Sequence, residues 1–521
     1  MQLLRAIATV GGWTIASRIV GFARDAGMAG VMGAGLVTDA FLVAFQFPNL
    51  FRKLFAEGAF NTAFVPLFAG ALEGEGENGA KRFAEETLAL MLPVLLVFTV
   101  VMIICMPWVV QVIAPGFSQD PEKMRLTVDF TRLTFPYLMF MSLTAMFGGI
   151  LNALHRFVAA AAAPILLNVF LLVALFLSYK KVFPDVGLTQ SWAVALAGIG
   201  QFLWLCRSAA RVGFLPRLRR PRATPEMRRL WKLMVPGALG AGVYQINVLV
   251  GTALATLLPQ GSVSWLYYAD RLTQFPLGVV GAAVAVALLP LLAKQVKSGD
   301  TAGATDSQNR ALEFALLLTV PAMVGLVAIP YEIVEVLFQR GEFGRADTLQ
   351  TAYALAAFAI GLPAFVLVKA FGPGYYARQD TVTPVKIAGL TLLVNIVLAY
   401  GLMRVMGHAG IALATSITAW LNALLLGGIL HRRGYFVVDS RLKRFVPRLG
   451  ISVVIMGVAL WLGAQALAAP FDGDLKHQVI ALGILCGGGF VLFMTLIQLT
   501  GAAKLRDLKT AFRRTPPAAE P

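Results

Sequence analysis

Charge is what this sequence has least of. Asp, Glu, Lys and Arg together make up 14% of its 521 residues, against about 25% in soluble domains, and mean hydropathy is +0.75. A soluble globular fold is thereby excluded. Acids are scarcer still, 27 against 44 Lys and Arg, for a net charge of +17. Cysteine is nearly absent: Cys105, Cys206 and Cys486 lie in apolar runs with no ligand-like spacing, which excludes a disulfide framework and a thiolate metal site. No His/Cys/acid metal motif, nucleophile elbow or phosphate loop is present, so no cofactor is expected and the chain does not read as an enzyme. Long polar connections are missing as well from the side of the membrane opposite the basic clusters. Stretches 31–38, 179–190, 259–263 and 403–408 are too short to form a domain outside the membrane, and chemistry must take place within a helix bundle.

What the chain does have is hydrophobic length. About 20 apolar residues cross a bilayer as a helix, and fourteen such runs can be read between 7–30 and 478–501. The expected fold class is an all-α polytopic membrane protein with fourteen transmembrane helices. Arg18 and Arg24 interrupt the first run, so it does not read as a cleaved signal peptide. Basic residues cluster in three places: nine between 207 and 232, six between 432 and 448, and five in the tail after 503. With fourteen spans all three fall on one side. By the positive-inside rule that side is cytoplasmic, with both termini there. Topology thus accounts for a pI near 10, and no nucleic-acid partner is expected.

The chain also echoes itself. QFP at 46–48 returns at 274–276, and VPLFA at 65–69 returns as LPLLA at 289–293; Pro136 and Pro363 are 227 apart, as are Asn168 and Asn395. Four landmarks in one order at nearly one spacing imply two homologous six-helix lobes in the same orientation, with a substrate between them and a rocking motion. The expected division is an N-terminal lobe at 1–224, a C-terminal lobe at 225–440, two added helices over 441–501 and a basic tail at 502–521. Prolines within the runs, among them Pro48, Pro136, Pro276 and Pro363, each remove a backbone hydrogen bond that a neighbour must replace. They are hinge candidates or static bends.

Charges that remain inside apolar runs are costly and therefore informative. The first two runs hold Arg18, Arg24, Asp25, Asp39, Arg52, Lys53 and Glu57. Asp39, Gln46, Lys53 and Glu57 fall on one helical stripe, while Arg52 projects roughly opposite unless Pro48 rotates the helix. Arg18 and Asp25 share a face of the first run. The second half adds Asp270, Arg271 and Lys369. Arg24 with Asp25, Lys53 with Glu57 and Asp270 with Arg271 are adjacent enough to be local ion pairs that merely make burial tolerable. Arg132, Arg156, Arg378 and Lys386 lie near run ends and are expected to snorkel to the interface. A cavity gathering Arg18, Arg24, Arg52, Arg271 and Lys369 would be positive, and the arginine fork suits a phosphate or pyrophosphate.

Several stretches resemble one family: SRIVGFARDAGMAGVMGAG (17–35), TDAFLVAFQFPNLFRKLFAEGAFNTAFVPLF (38–68), APGF (114–117), SVSWLYYADRLTQFPLGV (262–279) and PGYYARQDTVTPVKIA (373–388). They look like the MurJ (MviN) family of lipid II flippases, within the multidrug/oligosaccharidyl-lipid/polysaccharide exporter superfamily. The resemblance implies two lobes around a cationic cavity, a groove from the last two helices for a polyprenyl tail, and residence in the bacterial cytoplasmic (inner) membrane. It also implies alternating-access transport of undecaprenyl-pyrophosphoryl disaccharide-pentapeptide from the inner to the outer leaflet for peptidoglycan synthesis, cell-wall biogenesis and cell shape. Membrane lipids and cell-wall synthesis proteins are the other expected partners. By matching motifs it assigns substrate binding to Arg18, Arg24, Arg52, Arg271 and Lys369, and functional acids to Asp39 and Glu57, with Asp25 beside them. Where relatives often carry an acid three residues after the eighth-helix arginine, this chain has Gln274, and Asp270 is the nearest substitute.

Three rivals handle related ligands. A flippase for another lipid-linked oligosaccharide shares the architecture; a polytopic peptidoglycan glycosyltransferase would need a catalytic acid or a large outer loop; a cationic-drug exporter would line its cavity with acids and aromatics. With no nucleotide motif, the energy source expected is the membrane potential, worth about 2.3 kcal/mol per charge per 100 mV. Coupling to an ion gradient, with Asp380 as a candidate acid, is the alternative.

Overall fold

In this computed structural model, residues 2–53, 60–220, 224–471 and 473–502 are described. They form helices throughout: α1 (Gln2–Met32), α2 (Leu36–Phe51), α3 (Asn61–Ile113), α4 (Pro121–Thr134), α5 (Tyr137–Ala153), α6 (Phe157–Tyr179), α7 (Val186–Arg211), α8 (Pro225–Thr256) and α9 (Ser262–Lys297). The series continues with α10 (Thr301–Ala328), α11 (Pro330–Phe338), α12 (Arg345–Ala359), α13 (Leu362–Tyr376), α14 (Val382–Met406), α15 (His408–Arg432), α16 (Ser440–Ala466), α17 (Ala468–Phe471) and α18 (Leu475–Leu499). α3 is two helices divided at Gly76, whose φ is 71°.

Ten helical segments among the described residues are long and apolar enough to cross a membrane. Several of them are inside-out relative to a soluble core, for only 11% of the most apolar stretch of α3 is buried and Val405 on α14 is 85% exposed. Such surfaces are stable only against lipid.

Packing divides the chain into two units, Met1–Ser264 with Arg340–Asp347, and Trp265–Gln339 with Thr348–Pro521. The division reflects contacts, whereas the expected boundary at 224/225 concerns ancestry. In the first unit α1 lies along α6, α6 along α7, and α2 along α4, with a stacked aromatic core of Phe60, Phe64, Phe68 and Phe83. Residues 340–347 join this unit through a backbone clasp, in which the Glu342 N–H donates to the Gly30 carbonyl at 3.0 Å. Gly341, at φ 56°, has no room for a side chain, since a Cβ there would meet that carbonyl at 2.1 Å. In the second unit α16 packs on α10 and α18, burying Leu449, Val453 and Phe445 with Leu312, Leu485 and Phe493.

The repeat landmarks occupy matching places. Pro136 separates α4 from α5, and Pro363 opens α13 just after α12 ends. Asn168 and Asn395 are buried in α6 and α14, and Pro48 and Pro276 lie inside α2 and α9.

The carbonyls freed by proline find new donors. Pro48 cannot bond the Ala44 carbonyl, and the Thr134 hydroxyl on α4 donates to it instead at 3.0 Å. Pro107 frees the Ile103 carbonyl, which accepts from Arg132 Nε at 3.2 Å. Arg132, expected to snorkel, thus repairs a helix. At the break between α12 and α13, carbonyls left over by the helix end are met in the same way: the hydroxyl of Ser416 donates to Ala357 at 2.6 Å and the Trp420 indole to Ile360 at 2.9 Å.

Candidate functional site

The residues singled out from the sequence are divided between the two units. In the first, Arg24 and Asp25 sit in the last third of α1, 7% and 4% exposed. Nη2 of Arg24 is 2.5 Å and Nε 3.1 Å from Asp25 Oδ1, so adjacent residues form a buried ion pair. Nη1 donates to Asn168 Oδ1 at 3.0 Å, and Asn168 Nδ2 donates to the Ser17 carbonyl at 3.2 Å. The guanidinium also lies 6.0 Å from the Phe45 ring centroid. A cation held this way keeps its charge and its orientation within an apolar bundle. Arg18, two turns earlier on α1, is exposed.

Asp39, the next acid along, is built differently. It is 1% exposed, and its carboxylate accepts from four donors: Lys123 Nζ at 3.1 Å, the Gly261 N–H at 2.8 Å, the Ser264 N–H at 3.0 Å and the Ser264 hydroxyl at 2.7 Å. Gly261 and Ser264 bracket the start of α9, whose first N–H groups have no partner within the helix. Asp39 therefore caps a helix that begins over two hundred residues later, and its negative charge also suits the positive end of that helix. Lys123, itself buried, lies 4.4 Å from the Phe117 ring centroid. Phe117 ends the APGF turn, and in that turn the Gly116 N–H donates to the Thr256 hydroxyl at 3.2 Å. A Cβ at Gly116 would stand 1.9 Å from the Thr256 carbonyl oxygen, so the motif is a close-contact turn against the end of α8.

Gln46, on the Asp39 stripe, accepts from the Thr252 hydroxyl at 2.8 Å. The stripe expected from sequence thus faces the end of α8 and the start of α9. Arg52 is half-buried and Lys53 exposed in a π-helical turn after α2. Glu57 lies outside the described residues.

In the second unit Arg271 is half-buried on α9, its guanidinium 4.6 Å from the Tyr267 ring centroid. Gln274 Nε2 donates to Asp270 Oδ1 at 3.2 Å, so the two side chains are engaged with each other. Lys369 on α13 is exposed and lies over Gly281 of α9, where a Cβ would be 2.8 Å from its Cδ. Asp380, between α13 and α14, accepts from the Thr383 hydroxyl at 2.7 Å, the Thr383 N–H at 2.9 Å and Arg433 Nη1 at 2.6 Å. The Thr383 hydroxyl above all, then the Thr383 N–H and Arg433, hold its carboxyl down to about 2. Such an acid stays ionised at neutral pH and is poorly suited to carrying a proton.

Three partners escaped the sequence reading as site residues. Asn168 stood out only as a repeat landmark. Lys123 and Ser264 carry no local signal, because their meaning lies in a contact with Asp39 across 84 and 225 residues.

Comparison with known proteins bears on the whole chain. Residues 28–498 match the family described as "Lipid II flippase MurJ". A "Probable lipid II flippase MurJ" of Rhizobium meliloti (strain 1021) is 44% identical over 99% of this chain and 97% of its own length. The solved structure "Lipid II flippase MurJ, inward closed conformation" matches with a TM-score of 0.78 at 25% identity, over 96% of this chain and 99% of that one. An inward-facing multidrug resistance MATE family transporter of the MOP superfamily shares the fold, with a TM-score of 0.69 at 15% identity over 82% of this chain and 95% of its own.

Proposed function

This chain belongs to the lipid II flippase MurJ family, and from that premise we propose that its arginines hold the pyrophosphate of lipid II while the molecule crosses the membrane. It is a multi-pass transporter of the bacterial inner membrane, not an enzyme. Its substrate is a polyprenyl-pyrophosphate-linked disaccharide-pentapeptide, carried from the cytoplasmic to the outer leaflet for peptidoglycan synthesis by alternating access. The observation that carries the site assignment is the buried guanidinium of Arg24, held on two sides by Asp25 and Asn168. A cation kept at such cost in an apolar bundle serves an anion.

In this reading Arg18, Arg24, Arg52 and Arg271 converge on the pyrophosphate with Lys369 as a further cation. Each arginine offers two parallel donors, and a lysine offers only a point charge. Asp25 and Glu57 tune these cations. Lobes at 1–224 and 225–440 rock about the site, helices within 441–501 cradle the polyprenyl tail, and both termini with the 502–521 tail are cytoplasmic. The membrane potential drives the anion outward and returns the emptied cationic cavity inward.

The test is made in cells depleted of their own flippase, by measuring lipid II on each leaflet while this chain is expressed. The wild-type chain restores lipid II to the outer leaflet. Arg18→Ala, Arg24→Ala, Arg52→Ala and Arg271→Ala, compared at matched protein levels, do not. Restoration by all four variants would refute the assignment.

A further inference from the structure

Asn168 entered as a landmark of the internal repeat, and nothing in the flippase reading gives it work. Its surroundings do. Ser17, Gly21 and Arg24 are spaced i, i+4, i+7 and so share one stripe of α1. That stripe faces α6. A Cβ at Gly21 would stand 3.4 Å from Asn168 Nδ2, and one at Gly27 would stand 3.4 Å from Leu175 on the same helix. Small residues let two helices approach closely, and the approach brings a short amide within reach of both a backbone carbonyl and a guanidinium.

Both contacts choose the same amide orientation. Arg24 has only donors, so it demands Oδ1; the Ser17 carbonyl has only lone pairs, so it demands Nδ2. Asn168 is 7% exposed, and it is pinned at both ends. Asp25 holds one edge of the guanidinium through Nε and Nη2, and Asn168 holds the remaining nitrogen, Nη1. Two fixed points on different helices define the plane of the fork, and a planar donor is useful only when its plane is set beforehand.

We propose that Asn168 is a positioning residue for Arg24: it acts on the transported anion only through the guanidinium it orients. This rests on the reading that Arg24 meets the substrate. The second half of the repeat shows the contrast. Asn395 is likewise buried in α14, and its Oδ1 accepts from the Thr418 hydroxyl at 3.2 Å.

The experiment is a double-mutant cycle on the purified full chain in lipid nanodiscs, with lipid II as the probe and thermal unfolding measured in parallel. Asn168→Ala weakens lipid II binding about tenfold, the scale of losing one charge-assisted hydrogen bond, and has no further effect in the Arg24→Ala background. Asn168→Asp keeps the shape and the acceptor but adds a second negative charge beside the guanidinium. Compared per folded molecule it binds more weakly than Asn168→Ala, and it loses some stability because the carboxylate has no donor for the Ser17 carbonyl. A residue that only filled space would rank these two variants the other way, and that ranking overturns the inference. Equal losses from Asn168→Ala with and without Arg24 overturn it too, as does wild-type binding by Asn168→Ala when Arg24→Ala binds poorly. Wild-type binding by Arg24→Ala refutes the flippase site itself, and the inference falls with it.

Discussion

Two buried ion pairs in the first unit use the same chemistry to opposite ends. Arg24 and Asp25 are neighbours on one helix, and the bonds between them are made within α1. Asp39 and Lys123 are 84 residues apart, and the same carboxylate grips Gly261 and Ser264. A pair closed within one turn is assembled with its helix and leaves its cation to be aimed by a third residue. A pair closed across hundreds of residues ties segments together, and its acid has no capacity left for a ligand. We read the first as a substrate group and the second as a structural clamp, although the family resemblance names Asp39 as a functional acid.

The comparison breaks most visibly at Asp39. Asp39→Ala strands the buried Lys123 ammonium and uncaps α9, which should lower stability by about 3–5 kcal/mol. The check is a sharply lower unfolding temperature and reduced membrane levels. Asp39→Asn should lie between this variant and wild type. If either unfolds like wild type, the clamp is not one.

Arg24→Lys sharpens the other side. The ammonium keeps its pairing with Asp25 but cannot present a fork or reach Asn168 at the same time. Lipid II binding should fall about tenfold, with only about 1 kcal/mol of stability lost at the stranded Asn168 oxygen.

Arg132 gives a smaller, purely structural reference. Arg132→Met should cost about 1 kcal/mol by leaving the Ile103 carbonyl without its donor, and Pro107→Ala, which returns the helical N–H to that carbonyl, should recover most of the loss. A full loss in the double variant would mean that Arg132 serves elsewhere.

The smallest effect concerns pH. Asp380, held down to about 2, contributes its stabilisation above the ordinary carboxylate range and loses it only as pH falls from about 4 toward 2. Between pH 5 and 8 its charge is constant, so Asp380→Asn should leave the pH profile of flipping unchanged in shape. A titration step in that range that disappears in Asp380→Asn would restore it as a coupling acid.

Much of the architecture was legible because it is periodic. Apolar length announces the helices, and Pro136 and Pro363 mark two helix breaks at one repeat spacing. The cost of Pro48 was visible too, but not that Thr134 would meet it, since the donor comes from another helix. The site divides along the same line. Arg24 and Asp25 could be paired from their adjacency, whereas no pattern in LLNVFLL says which helix Asn168 faces. The Asp39 stripe was predicted correctly through Gln46, yet its partners Lys123 and Ser264 are fixed by tertiary contact alone.

The most direct test is equilibrium binding of lipid II to purified Arg24→Lys and Asp39→Asn, each scaled to the fraction folded. The account predicts that Asp39→Asn binds as the wild type does per folded molecule although less of it survives heating, and that Arg24→Lys is fully folded and binds about tenfold more weakly. Weak binding by folded Asp39→Asn together with wild-type binding by Arg24→Lys would contradict it, and would move the substrate from the pair within α1 to the clamp at the start of α9.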